Sequence, residues 1–385
     1  MKKVLLFLLV GIFLVSCEKE KDKQNEKKFT VYKNRSTPTN PNFNYELTEE
    51  IAIPYIVEDD TTGKRNFEAP SCVVTDDEGN IYIAGAKTAK IYKFSKDYKF
   101  ITSFGGKGKG PGEFSGGPSS IVYHNGELFA PCYQTTNTNV YKTNGEFVKL
   151  IPPTLSAAFS GQKSFGKNLL MNIEGREAKK NEVVVSSSIA VLGSDYETIS
   201  KTIYTKETET RNRCLRISDM YVRYTTSKDI LYIGDVSKDY YRIYGYDKSF
   251  NKVMEIRKDY KSEQEVGENA SVYMFGKSLG GGFYPKKKTP LKERKLYYKS
   301  INNIYLDGNN RLWVVSPTKN ITAKSGLYVD IFEKGIYLNT IHLPFYKSRD
   351  FSFIYTPLFI SGDKLFYIDN ENEVIRVFSY KAVGV

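Results

Sequence analysis

The chain has 385 residues, of which 40% are hydrophobic, and its formal net charge is +12 at pH 7. That hydrophobic content is enough for a sizeable core and excludes a chain that is disordered throughout. The 30 tyrosines and 23 phenylalanines, against five methionines, favour β-sheets, because aromatic side chains pack well on pleated faces. An all-β chain of this length often forms one domain.

Residues 1–16 have the pattern of a signal peptide. Lys2 and Lys3 precede an apolar run over residues 4–15, which is too short to span a bilayer as a permanent helix. The run ends in Leu14-Val15-Ser16-Cys17, which resembles the lipobox of bacterial lipoproteins. The resemblance implies cleavage before Cys17 and lipidation of its thiol. The alternative is an ordinary secretory peptide with an incidental cysteine.

Residues 17–42 are expected to form a disordered tether between the lipid anchor and a folded domain at 43–385. They are rich first in Glu, Lys and Asp and then in Asn, Thr and Pro, and they lack apolar periodicity. Glu18 follows Cys17, whereas some inner-membrane lipoproteins carry an aspartate there. The charged run loosely resembles the export signals of surface lipoproteins. The expected location is the outer membrane, facing either the periplasm or the cell surface.

From residue 43 onward the chain repeats a unit of short strands separated by turn residues. The second copy contains Asn-Gly at 125–126 and at 144–145, a pair that favours tight hairpins. Six copies can be traced, and they begin near residues 71, 121, 169, 221, 303 and 357. Four-stranded repeats of about 40 to 50 residues indicate a β-propeller.

The last copy has three strands before the chain ends, and residues 45–56 can supply its missing outer strand. This closure would remove an open sheet edge. The predicted fold is therefore all-β, a six-bladed β-propeller of four-stranded blades in which the N-terminal strand completes the last blade.

A glycine-rich stretch over residues 104–114 lies between the first two copies. It lacks a phosphate-binding signature, because Pro111 and Gly112 stand where a P-loop has Lys and Ser or Thr. We expect it to join two blades. Together with the Asp-x-x-Gly-Asn-Ile-Tyr-Ile run at 76–83, it resembles the NHL-type and TolB-like six-bladed propellers carried on lipoproteins of Gram-negative gut-type anaerobes. The resemblance implies the fold but not the function, because propellers include lyases, lactonases and binding modules.

An irregular segment over residues 259–300 fits no blade. It contains a basic cluster, in which the candidate residues are Lys286, Lys287, Lys288 and Arg294. One interpretation is a basic lip that binds an anionic glycan or an acidic partner, and the other is a solvated insertion. Since the lipobox places the chain outside the cytoplasm, its positive charge favours anionic envelope polymers over nucleic acid.

Three cysteines remain after Cys17, at positions 72, 132 and 214. An odd number cannot all pair within the chain. A disulfide between Cys72 and Cys132, on neighbouring blades, is one hypothesis, and buried free thiols are the default.

Evidence for catalysis in the sequence is thin, because His124 and His342 lack the companions of a metal site or a triad. Asp235 and Asp369 each follow the aromatic residue of a second strand by three positions, and Glu174 is a further candidate. Lactonase-type propellers, which this chain resembles in fold, hold calcium with such carboxylates at the channel mouth. The alternative is that these aspartates tie neighbouring loops together.

The sequence thus predicts no catalytic residue and no cofactor, although a calcium ion is compatible with the carboxylates. The favoured function is a lipid-anchored binding or scaffold module for a glycan, a peptide or a partner protein. The alternative is a calcium-dependent hydrolase or lyase.

Overall fold

The computed structural model describes residues 29–59, 63–132, 134–135, 137–153, 161–179, 182–210, 214–215, 222–262, 273–274, 299–316, 320, 325–347 and 357–385. Within these ranges, no helix is both long enough and apolar enough to cross a membrane.

The chain begins with two strands that complete sheets formed later. They are β1 (Thr30–Asn34) and β2 (Asn44–Pro54), and a separate short hairpin follows, made of β3 (Ile56–Asp59) and β4 (Gly63–Asn66).

Six antiparallel sheets follow in chain order, and we number them as blades one to six. Blade one consists of β5 (Pro70–Thr75), β6 (Ile81–Gly85), β7 (Lys90–Phe94) and β8 (Phe100–Gly105). Blade two consists of β9 (Val122–His124), β10 (Glu127–Pro131), β11 (Thr138–Lys142) and β12 (Phe147–Ile151). Blade three consists of β13 (Lys163–Phe165), β14 (Asn168–Lys179), β15 (Glu182–Leu192) and β16 (Ile199–Thr210).

The second half of the chain is built in the same way. A short pair, β17 (Cys214–Leu215) with β22 (Tyr273–Met274), lies outside the blades. Blade four consists of β18 (Arg223–Thr226), β19 (Leu231–Asp235), β20 (Tyr241–Tyr246) and β21 (Lys252–Lys258). Blade five consists of β23 (Asn303–Leu306), β24 (Leu312–Val315), β25 (Leu327–Glu333) and β26 (Ile336–Leu343). Blade six consists of β27 (Leu358–Ser361), β28 (Lys364–Asp369) and β29 (Val374–Val383), together with β2.

The innermost strands of the blades surround a central channel. Each of β5, β9, β13, β18 and β23 contacts the innermost strand of the next blade, and β27 contacts β5 again. The ring is therefore closed, and the predicted six-bladed propeller is confirmed. We call the end of the ring where the innermost strands begin the upper face, and the opposite end the lower face.

Apolar layers between successive blades hold the ring together. Tyr82 and Ala84 of β6 pack against Leu128 and Ala130 of blade two, while Ile83 on the other face packs towards blade six. Every residue of β6 is buried. A strand that is covered on both faces has a continuous apolar sequence, as the residues of β6 do.

The predicted closure of the ring by the N-terminal strand is also confirmed. β2 pairs antiparallel with β29, from Asn44 opposite Val383 to Pro54 opposite Val374. The hydroxyl of Tyr45 donates a hydrogen bond to the Asp307 carboxylate in blade five. The Tyr45 ring packs on Trp313 of the same blade, with 4.7 Å between ring centroids. β2 therefore completes blade six by pairing with the C-terminal strand β29, and it also connects blade six to blade five through Tyr45.

The prediction of a disordered tether is wrong for residues 29–42, while residues 17–28 lie outside the described part of the chain. β1 adds to β21 as a parallel fifth strand of blade four. The side-chain amide of Asn34 then donates to the Arg257 carbonyl at 3.1 Å in blade four and to the Gly335 carbonyl at 3.0 Å in blade five. β1 pairs mainly through backbone hydrogen bonds. Such pairing does not require alternating apolar side chains, so the sequence pattern showed no sign of this strand.

The glycine-rich stretch joins β8 to β9, as expected. It holds the ring of Phe114, which is fully buried between blades one and two. Gly105 has a φ of +84°, and a Cβ atom there would come within 2.8 Å of the Phe114 ring. Glycine is therefore required at this position by both the backbone conformation and the close approach.

Blade three is larger than its sequence suggested. β14, β15 and β16 have 12, 11 and 12 residues, whereas β6 has five. The seven extra residues of β14 correspond to roughly 20 Å at about 3.3 Å per residue, and they extend beyond the upper face.

Cys72 and Cys132 are both free thiols. They lie in the apolar layer between blades one and two, where Cys132 is fully buried. The structure thus supports the default interpretation of these two cysteines as small apolar residues, and the disulfide hypothesis is wrong.

Candidate functional site

A cavity of about 500 Å³ opens on the upper face between blades six and one. We call it the upper cavity. Its lining residues come from the starts of innermost strands, from the end of β28 and from the segment after β26, and they include Ser71, Ser119, Lys347, Phe359, Tyr367, Asp369, Asn370 and Glu371.

Tyr367 gives the upper cavity a buried aromatic surface. It lies on β28, and its hydroxyl oxygen accepts a hydrogen bond from the backbone N–H of Lys347 at 3.1 Å. Burial raises the pKa of Tyr367, so the phenol is neutral at physiological pH. Phe359 of β27 lines the same cavity. Tyr367 is 3% exposed, so the half-buried Phe359 offers the ring that an apolar or carbohydrate group can contact.

Asp369 organises the turn at the end of β28. It is 1% exposed, and its carboxylate oxygens accept hydrogen bonds from the side-chain amide of Asn372 at 2.7 Å and from the Asn372 backbone at 3.3 Å. The neighbouring Asn370 accepts a hydrogen bond from the Tyr55 hydroxyl at 2.9 Å. The turn therefore presents Asn370 and Glu371 to the upper cavity in a fixed arrangement.

An exposed ion pair lies at the rim of the upper cavity. Lys347 Nζ is 3.2 Å from a Glu371 carboxylate oxygen. The hydrogen bond to Glu371 and the charge of Asp369 raise the pKa of Lys347. Lys347 follows the outermost strand of blade five in a stretch without a recognisable motif, so the sequence analysis missed it.

Asp235 lies away from this cavity, at the end of β19 in blade four. Its Oδ1 is 2.6 Å from Lys206 Nζ on β16 of blade three, and its Oδ2 accepts a hydrogen bond from the Tyr244 hydroxyl at 3.1 Å. Burial opposes ionisation, but the hydrogen bond and the charge of Lys206 outweigh it, so the pKa of Asp235 is lowered. The carboxylate thus joins two neighbouring blades.

The candidate carboxylates do not form one site. Glu174 lies opposite Ser187 in blade three, Asp235 is paired with Lys206, and Asp369 is bound to its own turn. In the part of the chain that the structure describes, no group of three or more His, Cys, Asp and Glu side chains could hold a metal ion. These three carboxylates therefore do not converge on a common site.

The two histidines are on opposite faces of the ring. His124 is buried at the lower end of β9, where its Nδ1 is 2.8 Å from the Ser164 hydroxyl, and burial lowers its pKa. His342 lies near the upper end of β26 and stacks on Tyr328, with 4.6 Å between ring centroids. Neither histidine lines the upper cavity.

Several predicted residues lie outside the described part of the chain. They are the lipidation site Cys17 and the basic cluster of Lys286, Lys287, Lys288 and Arg294.

No protein-family model and no curated protein sequence matches the chain. Solved structures do resemble it. A protein from Bacteroides fragilis that is described as exported has 12% identity and a TM-score of 0.51, covering 92% of this chain and 99% of its own. A DUF4221 family member from Bacteroides vulgatus has 12% identity and a TM-score of 0.50, covering 88% and 98%. At this identity the likeness shows the fold alone.

Proposed function

We propose that the chain is a lipid-anchored binding module of the cell envelope that takes a glycan, a peptide or a segment of a partner protein into the upper cavity. The observation that carries the proposal is the cavity itself. Its volume of about 500 Å³ is in the range of ligand-binding clefts, and polar groups converge on an aromatic wall there.

The chemistry of the upper cavity supports binding over catalysis. Asp369 is held by Asn372, and Glu371 is paired with Lys347. No histidine or cysteine occurs among the described residues that line it. The cavity therefore offers hydrogen bonds and aromatic contacts, while its two carboxylates are already engaged with Asn372 and Lys347. The calcium-dependent hydrolase or lyase has less support, because its candidate carboxylates are engaged with other protein groups.

The proposed location is the outer membrane, with the chain anchored through Cys17. The lipobox resemblance supports this location, as does the description of the similar Bacteroides fragilis protein as exported. We expect anionic envelope polymers or proteins as partners, and no nucleic acid.

Removal of the rim ion pair should abolish ligand capture. We expect Lys347→Ala with Glu371→Ala to lose the glycan or protein that co-purifies with the wild-type chain from detergent-solubilised membranes. Both side chains are largely exposed, so the substitutions remove ligand contacts without disturbing the core. Retention is measured on the immobilised chain by mass spectrometry of the eluate and by a glycan array.

The matched control removes another exposed ion pair, Lys142 with Glu146, whose charged atoms are 2.8 Å apart in a hairpin of blade two. Lys142→Ala with Glu146→Ala should retain the ligand fully. Equal retention by the two double variants would contradict binding in the upper cavity.

A further inference from the structure

The central channel contains a second cavity, of about 550 Å³, which we call the axial cavity. The innermost strands of all six blades line it. Side chains alternate along these strands, so a shared register position marks one layer of the channel. One such layer pairs with equivalent residues of the second strands, namely Tyr82, Phe129, Leu170, Tyr232, Trp313 and Phe366. It contains Val74, Val122, Lys163, Thr225, Tyr305 and Phe359.

The walls of the axial cavity differ in chemistry. Blades two, three and four are consecutive, and they contribute Ser120, Lys163 and Arg223 to the lining. Blades five, six and one face them across the axis and contribute Tyr305, Phe359 and Val74 to the lining. Both sides carry apolar and uncharged polar groups, but the cationic residues of the described lining are all on blades three and four.

Lys163 stands out because no ion pair reaches it from any described residue. Its side chain is exposed and lines the axial cavity. Enclosure by protein lowers the pKa of Lys163, as expected for an ammonium group without a counter-ion. An ammonium group that lines a cavity without a counter-ion is available for a charge-assisted hydrogen bond to an anion.

The hydrogen-bonding and charged groups of the axial cavity other than Lys163 are compatible with a bound anion. The hydroxyl oxygen of Ser120 is buried without a hydrogen-bond partner among the described residues. Asp307 is the carboxylate at the lower end, and its oxygens already accept hydrogen bonds from Asn309, Arg311, Trp313 and Tyr45. Lys228, also at the lower end, adds positive charge.

We propose that the axial cavity binds a small organic anion, with its carboxylate or phosphate group against Lys163, Ser120 and Arg223 and its apolar body against Tyr305 and Phe359. The two cavities share Ser71, Ser119 and Phe359 in their linings, whereas Lys163, Ser120 and Arg223 line the axial cavity alone, and the proposal concerns these three residues. A charge-assisted hydrogen bond in a channel of reduced dielectric is stronger than one at the surface. The low-dielectric walls also concentrate the positive potential on the axis.

The test is isothermal titration calorimetry of the wild-type chain with benzoate, phenyl phosphate and the neutral analogue benzamide. We expect at least one of the two anions to bind, and benzamide to bind at least tenfold more weakly. Lys163→Met keeps an unbranched side chain that is one atom shorter and removes its charge, and it should weaken the binding of the anion at least tenfold. Tighter binding of phenyl phosphate would identify phosphate esters as the ligand class of the axial cavity, and tighter binding of benzoate would identify carboxylates.

Lys167→Met is the matched control, because Lys167 is exposed in the turn of the same hairpin and does not line the axial cavity. It should leave the affinity unchanged. Thermal unfolding provides a second readout, in which Lys163→Met should unfold at the same or a higher temperature than the wild type. No binding of either anion, equal binding of benzamide, or equal affinity in Lys163→Met would overturn the proposal.

Discussion

A chain that begins at Tyr55, and so lacks β1 and β2, is expected to form no soluble monomer. Without β2, blade six has three strands, and the edge of β29 is exposed along ten residues. The buried side chains of Phe43, Tyr45 and Ile53 are lost from the core as well. An uncovered strand edge beside exposed apolar surface leads to aggregation. Size-exclusion chromatography and circular dichroism measure the outcome.

A chain that begins at Phe43 is the control for this deletion. It lacks β1 but keeps β2, so blade six is complete and blade four retains its own four strands. We expect this chain to be monomeric, with a cooperative unfolding transition at a lower temperature than that of a chain beginning at Phe29. A monodisperse, cooperatively unfolding chain that begins at Tyr55 would show that closure by β2 does not hold the ring together.

Asp330→Ala is expected to lower the free energy of unfolding by about 3–5 kcal/mol, the usual cost of breaking a buried ion pair by removing one partner. The Asp330 carboxylate lies 2.8 Å from Lys258 Nζ, and both side chains are largely buried. It also accepts hydrogen bonds from Thr340 at 2.7 Å and from Tyr241 at 3.3 Å. The substitution leaves a buried ammonium group and two hydroxyl donors without their acceptor. Urea denaturation measures the change.

Asp229→Ala is the matched control for this prediction. It breaks a Lys–Asp pair of the same length, 2.8 Å between Lys248 and Asp229, but both side chains are exposed. Solvent screens such pairs, so we expect no measurable change in the urea midpoint. If both variants unfold at the wild-type midpoint, Asp330 does not hold blades four and five together.

The six-bladed architecture could be predicted from the sequence, because a strand that is buried on both faces has a continuous run of apolar residues. The fully apolar second strands, such as β6, and the turn residues between strands identified six repeats. The last copy has three strands, which led to the prediction that residues 45–56 supply the fourth, and β2 does so.

Two features of the fold left no such pattern. β1 pairs through its backbone at the edge of blade four, and its sequence TVYKN is too short to show an alternation. The upper parts of β14, β15 and β16 are rich in charged and small polar residues, in keeping with a sheet that extends beyond the ring. The local sequence does not predict the β1 edge strand or the long strands of blade three, because both depend on pairing with strands that are distant in the chain or on the length of the neighbouring strand.

The candidate site was only partly predictable. The spacing rule that singled out Asp369 does point to a residue of the upper cavity, but the same rule selected Asp235, which pairs with Lys206 on the neighbouring blade. Lys163 and Lys347 were missed because neither belongs to a motif: Lys163 is the first residue of the three-residue strand β13, and Lys347 lies in the segment after β26. Only the arrangement of six blades around one axis brings such residues to a common cavity.

Photo-cross-linking in cells tests ligand binding in the upper cavity most directly. A photo-reactive benzoylphenylalanine is placed at Asn370, which is exposed and lines this cavity, or at Asn144, which is exposed in a turn at the lower face. Irradiation of cells that produce each variant, followed by mass spectrometry, shows which position captures an envelope component. The proposed function predicts an adduct from position 370 and none from position 144. An adduct from position 144 alone, or from neither position, would contradict it.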